Sequence, residues 1–335
     1  MRVNTKLIID TDGVTDDVRA ISIALQSGAA DVVAITTVHG CVSVDQATAN
    51  VSRTLRANGK QVPVYKGAKN PIIYRPLVDH SNVFGHDGIG DQPEAPPAVK
   101  PEDFTNYVQN KHAAQALIDL CREDSEITLV CLGPLTNVAL ALKLEPAFAR
   151  MPKKLVIMGG NYYAIGNVST HPTAEFNIFG DPEAAHAIFA EMECPIIAVP
   201  WEAFLLEGKK YETEVDYDAH LHFDTRLSKF LNTATSVIRH RMETVKHRKY
   251  AYCDEIAVAA AIDPENVIIQ TRMLRVTVEL SGQFTRGQVV VDWTHVTPDN
   301  EVEEETDTSM KRIRFVTSYD IKKVDQMMID AAQKV

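Results

Sequence analysis

No run of about 18 consecutive apolar residues occurs in the 335-residue chain, so no membrane-spanning helix is expected. The amino terminus, Met1-Arg2-Val3-Asn4-Thr5-Lys6, has no signal-peptide pattern and leads straight into the strand-like Leu7-Ile8-Ile9. Cysteine is sparse. Cys41, Cys121, Cys131, Cys194 and Cys253 are odd in number, far apart and never arranged as CxxC, which indicates neither a disulfide framework nor a zinc knuckle. The expectation is a reducing, cytoplasmic compartment with free thiols. Basic residues are outnumbered, 34 against 45 acidic, and the net charge of −11 argues against a nucleic-acid partner. No repeat period is visible and no linker forces a second domain. What is present, 45% apolar residues with 16 Gly and 16 Pro, fits an ordinary globular chain.

Short Val/Ile-rich runs at 6–12, 31–38, 61–65, 127–132, 154–158 and 195–200 alternate with helix-length segments at 16–27, 43–58, 111–122, 135–144 and 182–192. In 111–122 the apolar residues Ala114, Leu117, Ile118 and Cys121 recur at helical spacing. Such alternation predicts an α/β chain: a single domain over 1–335, with an open, mostly parallel sheet and helices on both faces. Two stretches depart from it. Residues 66–105 read as a long loop rich in proline, and the Gly85-His86-Asp87-Gly88-Ile89-Gly90 core suggests a flap. The carboxyl-terminal part, 225–335, reads as extra helices near 225–247 and 254–262, a hairpin over 272–280 and 286–293, an acidic turn from Glu301 to Asp307, and a last strand and helix. Asn50-Val51-Ser52 is formally a glycosylation sequon, which carries no meaning on the expectation of no signal peptide.

The most informative string is Asp10-Thr11-Asp12-Gly13-Val14-Thr15-Asp16-Asp17. An apolar strand ends in two aspartates that leave the same face, a tight turn follows, and two more aspartates open a helix. In a parallel sheet this is the edge where ligand sites form. Four carboxylates so close repel one another and raise one another's pKa values. A hard cation is the simplest compensation, Ca²⁺ with roughly 6–8 oxygen ligands or Mg²⁺ with about six. Helix capping by Asp16 and a dipole contribution from Asp17 would account for only two of the four. A strand-end DxD also resembles the haloacid-dehalogenase-like phosphatases, which take Mg²⁺ and a phosphorylated substrate. Their later acidic pair has a superficial counterpart in Gly180-Asp181-Pro182.

The full DxDxxxDD string resembles more closely the start of the inosine–uridine-type nucleoside hydrolases. Further segments agree in order: Ala34-Ile35-Thr36-Thr37-Val38-His39-Gly40, Leu132-Gly133-Pro134-Leu135-Thr136-Asn137, Val156-Ile157-Met158-Gly159-Gly160, Ala174-Glu175-Phe176-Asn177, and Asp254 before Ala257-Val258-Ala259. The resemblance implies Ca²⁺-dependent hydrolysis of the N-glycosidic bond of a ribonucleoside. It implies Asp12, Asp17, Asp254 and the Leu132 carbonyl as Ca²⁺ ligands, with Asp12 also the general base for the attacking water. Asp16 and Asn177 would contact the ribose hydroxyls, Glu175 and Asn167 the 5′ side of the sugar, and Met158 the substrate. Asp10 would support the cluster from behind. A homodimer or homotetramer is also implied.

The chain departs from the family pattern at the base side. Cys253 stands where many members carry His before the late Asp, and Cys41 where many carry Asn. A thiol with an ordinary pKa of about 8.5 stays protonated at neutral pH, so Cys253 is the candidate proton donor to the leaving base, tuned by Cys41. Small space-filling thiols are the alternative. In the flap, Phe84 replaces the family's His, and His86 is a further substrate-side candidate. Trp201, His240, His247, Tyr250 and Tyr252 fall in segments expected near the base. Gly13-Val14 replaces the usual Pro-Gly after DxD. Loss of catalysis with ribose binding retained is a third reading, against which the retained Asp12 counts.

Overall fold

The computed structural model describes residues 4–76, 81–104, 111–295 and 310–335. Strands and helices alternate as β1 (Thr5–Thr11), α1 (Thr15–Gln26), β2 (Ala30–Thr37), α2 (Val44–Ala57), β3 (Val64–Lys66), α3 (Ser81–Phe84), α4 (Ala113–Glu123), β4 (Thr128–Cys131), α5 (Thr136–Leu144) and β5 (Lys154–Met158). Then come α6 (Phe176–Gly180), α7 (Pro182–Glu191), β6 (Ile196–Val199), α8 (Gly208–Lys210), α9 (Arg226–Ala234), α10 (Ser236–Thr244), α11 (Asp254–Ile262) and α12 (Pro264–Val267). The described chain closes with β7 (Ile268–Val278), β8 (Val289–Val291), β9 (Lys311–Tyr319) and α13 (Ile321–Gln333). The acidic turn expected over Glu301–Asp307 lies outside the described residues.

The strands form one sheet in the order β3-β2-β1-β4-β5-β6-β9-β7-β8. All pairings from β3 to β9 are parallel, and β7 runs antiparallel to both β8 and β9. The alternation of side chains along each strand explains why both faces are covered. Leu7 and Ile9 of β1, Val130 of β4 and Val156 of β5 join α1, α9, α11 and α13 in one core. Ile8, Leu129, Leu155 and Ile157 point the other way, against α4, α5 and α7. The expected α/β fold with a mostly parallel sheet is therefore the observed one.

Two details differ from the sequence reading. The segment 225–247 is two helices, broken at Thr235. The Thr235 hydroxyl bonds back to the Leu231 carbonyl at 2.8 Å, and the Arg239 guanidinium takes the Asn232 carbonyl at 3.1 Å. Gly90 packs so close that a Cβ there would lie 2.2 Å from the Thr233 carbonyl. The hairpin also starts earlier and ends shorter than expected, at Ile268 and Val291. The turn expected as a flap is tied to the body: Asn50 of α2 donates to the Asp87 carbonyl at 2.8 Å, and Thr15 to the Gly88 carbonyl at 3.1 Å. Asn50 itself is fully buried and cannot serve as a glycosylation acceptor.

Candidate active site

The carboxyl ends of β1, β2, β4 and β5 and the amino end of α11 converge on one region. Asp10, still within β1, faces α5. Its Oδ1 accepts from Thr36 at 2.5 Å and from Asn137 at 2.7 Å. The same Asn137 amide also donates to the Thr37 carbonyl at 3.0 Å, so it binds the two strand ends together behind the site. Burial pushes the Asp10 carboxyl up to about 7, with a further contribution from Asp12.

Asp12 lies just past the strand. Its Oδ2 accepts the Cys41 main-chain N–H at 2.6 Å. The loop after β2 can approach this closely because residue 40 is glycine, whose Cβ would stand 2.0 Å from that oxygen. Gly13 makes the next turn with φ +69° against the Ala47 carbonyl, a left-handed conformation suited to glycine. The alternative use of Asp16 as a helix cap is not realised, since Val14 holds the cap position of α1. Asp17, third in α1, reaches back to the Val14 N–H at 3.0 Å and also accepts the Thr11 hydroxyl. Asp16, freed from capping, has a buried Oδ1 without a hydrogen-bond partner.

Asp254 opens α11, and ligand atoms of Asp16, Cys253 and Asp254 all lie within 4.8 Å of one another. This set includes Asp16 and Cys253, whereas the family resemblance puts Asp12 and Asp17 beside Asp254. The four carboxylates are linked through charge. Burial, then Glu255 and Asp12, lift Asp16 to about 7. Burial followed by the neighbouring aspartates holds Asp17 and Asp254 well above the usual range. An unpartnered buried oxygen among mutually repelling carboxylates fits a hard cation with oxygen ligands.

Asn177 connects the next wall. Its Nδ2 donates to the Leu132 carbonyl at 2.9 Å and the Met158 carbonyl at 3.1 Å, bringing three predicted residues into contact. Glu175 accepts the N–H groups of Asn177 and Gly160, each at 2.8 Å, and burial raises it to about 7. Asn167 and His86 are exposed, on the turn before Glu175 and on the 85–90 turn respectively. Cys41 is half-buried and Cys253 buried. Burial and the adjacent aspartates push both thiols well above the ordinary value, so both are neutral.

The aromatic candidates separate. Trp201 packs on Phe204 at 4.5 Å beyond the end of β6. Tyr250 is buried with an unpartnered hydroxyl whose titration is opposed by burial and then by Asp16. Tyr252 instead turns to α13, donating to Asp325 at 2.7 Å, and His240 and His247 are exposed. Sequence reasoning missed Arg248, whose guanidinium carbon lies 4.7 Å from the Phe204 ring, and the buried Arg19 and Glu255. A lone Arg within the apolar pattern Val18-Arg19-Ala20-Ile21 was the available signal. Asp181 caps α7 through Ala184 and accepts Thr136 at 2.7 Å, so it is committed to structure rather than to a phosphatase metal pair.

Comparison with known proteins points one way. The model of the inosine-uridine preferring nucleoside hydrolase family matches residues 7–326. A Leishmania major protein named as an inosine-uridine preferring nucleoside hydrolase is 32% identical over 338 residues, covering 98% of each chain. Among solved structures, an inosine-guanosine nucleoside hydrolase superposes with a TM-score of 0.83 at 30% identity over 98% of each chain. A plant nucleoside hydrolase gives 0.82 at 28% identity over 99% of each.

Proposed function

The chain belongs to the inosine-uridine preferring nucleoside hydrolase family and is a ribonucleoside hydrolase, and on that premise we propose a Ca²⁺-dependent enzyme of nucleoside salvage in which Asp12 is the general base. The observation that carries the reading is the cluster of buried Asp12, Asp17 and Asp254 with half-buried Asp16, whose Oδ1 is inaccessible and left unpartnered. Asp12, Asp17, Asp254 and the Leu132 carbonyl would hold Ca²⁺. Once bound, the ion would neutralise the cluster, orient the ribose diol and acidify water.

The remaining chemistry belongs to the chain. Asp12, held through one oxygen by the Cys41 N–H, takes a proton from the attacking water through its carboxylate. The water oxygen bonds to the anomeric carbon as the N-glycosidic bond breaks, through an oxocarbenium-like state. The bond's electron pair leaves with the base, and the neutral Cys253 thiol, beside Asp16 and Asp254, donates a proton to it. Asp16 and Asn177 orient the ribose hydroxyls, and Glu175, Asn167 and Met158 the rest of the sugar. His86 stands on the substrate side, and Asp10 keeps the strand ends in place.

Cytoplasmic location and a homodimeric or homotetrameric state complete the proposal. Among the described residues no helix is long and apolar enough to cross a membrane. The purified protein should convert inosine and uridine to free ribose and free base without added phosphate. Formation of ribose 1-phosphate, or no cleavage of either nucleoside, would contradict the reading.

A further inference from the structure

Arg19 has no part in the reaction just described, yet it is buried beneath the site at 1% exposure. It projects from α1, which also carries Asp16 and Asp17. Its Nε pairs with Glu255, which follows Asp254 in the first turn of α11 and is itself fully buried. The other guanidinium nitrogens donate to the main chain leading into α11, Nη2 to the Ala251 carbonyl at 3.1 Å and Nη1 to the Tyr250 carbonyl at 3.4 Å. The rings of Tyr250 and Tyr252 lie 4.2 and 5.3 Å from the guanidinium carbon. Glu255 accepts the Cys253 N–H at 2.7 Å. Residues 250, 251 and 253 are thus each tied by their main chain to a single ion pair.

A buried ion pair is a poor stability device, because replacing both partners by apolar side chains is often neutral or favourable. Its best-attested use is to fix register. The planar, permanently charged fork of Arg suits that use here, since it reaches a carboxylate and two carbonyls at once; Lys offers only a point charge. We propose that the Arg19–Glu255 pair is a positioning device that holds residues 250–254 in register against α1, so that Cys253 and Asp254 stand beside Asp16. The geometry is independent of the hydrolase reading, but the catalytic consequence rests on it.

The test compares wild type, Arg19→Lys and Arg19→Met/Glu255→Met with Ca²⁺ present. It reads kcat and KM for ribose release from inosine and uridine, melting temperature, and hydrogen–deuterium exchange of the peptide over 248–256. Arg19→Lys should lower kcat about tenfold or more, within the roughly hundredfold that a misplacement of about 1 Å costs. It should also speed exchange at 250–254 while β1 and β4 stay protected. The double variant should melt close to wild type yet keep the low kcat, a split that a merely stabilising pair would not produce. Wild-type kcat in the double variant overturns the proposal, as do wild-type exchange and turnover in Arg19→Lys. If the double variant does not fold, Arg19→Lys decides. If wild type itself releases no ribose, the hydrolase reading fails, and the exchange measurement still judges the positioning.

Discussion

Adding one methyl group at position 40 should disable the enzyme while leaving it folded. In Gly40→Ala the new Cβ would stand 2.0 Å from Asp12 Oδ2 and 2.6 Å from its Cγ. Ordinary contact between such atoms is about 3.5 Å, so the loop after β2 or the Asp12 carboxylate must retreat by more than about 1 Å. Either movement breaks the 2.6 Å bond from the Cys41 N–H to Asp12. A hydrogen bond to a charged group contributes about 1.5–3 kcal/mol, and a displacement of about 1 Å at a reacting group costs roughly a hundredfold in rate. The expected loss in kcat is therefore about a hundredfold, equivalent to about 2.7 kcal/mol. Overpacking should lower stability by only about 1–3 kcal/mol. Steady-state release of ribose from inosine and uridine measures the first quantity, and urea unfolding the second. Gly28→Ala, where an added Cβ meets nothing within 4 Å, serves as the control and should keep wild-type kcat. A folded Gly40→Ala enzyme with wild-type kcat would refute the placement of Asp12 as the base.

Other outcomes follow from the same geometry. Asp10, Asp16 and Glu175 are raised to about 7 in the fold from ordinary values of 3.8, 3.8 and 4.5. Their stabilising contribution is therefore complete below about pH 4 and is lost as pH rises through about 7. Protein kept in chelator should melt lower at pH 8 than at pH 5, and added Ca²⁺ should raise the melting temperature more at pH 8; equal Ca²⁺ shifts at both would contradict the cluster's role. Asn177→Ala leaves the Leu132 and Met158 carbonyls without their shared donor and should destabilise by about 1–3 kcal/mol, with a rise in KM for nucleosides. Cys253→Ala should slow inosine and uridine hydrolysis strongly but a p-nitrophenyl riboside little, because that leaving group needs no proton. Unchanged turnover of the natural nucleosides would end the proton-donor role.

The parallel strands were legible because buried strands must be apolar on both faces, and runs such as Leu7-Ile8-Ile9 and Leu155-Val156-Ile157 state that directly. The aspartate string was legible for the opposite reason: strand and helix-start bonding occupies Asp10 and Asp17, which leaves carboxylates at the strand end that structure alone does not use. The break at Thr235 was not, since it depends on Gly90 and Arg239, distant in sequence or facing sideways. Asp17 rather than Asp16 completes the helix start because the chain reaches the helix at Thr15, one residue earlier than the pattern implied. Tyr252 could not be placed from its position either; only the approach of α13 gives its hydroxyl the Asp325 partner. Arg19 reads as a solvated helix residue until Glu255, 236 positions away, closes over it.

The central claim is that the carboxylate cluster at the end of β1 is a Ca²⁺-centred ribose site. It is tested most directly by titrating Ca²⁺ back into chelated enzyme while following ribose release from inosine and binding heat in parallel. The account predicts one binding event per chain whose midpoint coincides with the return of activity, both abolished in Asp254→Ala. Full hydrolysis in excess chelator, or Ca²⁺ binding that leaves turnover unchanged, would contradict it.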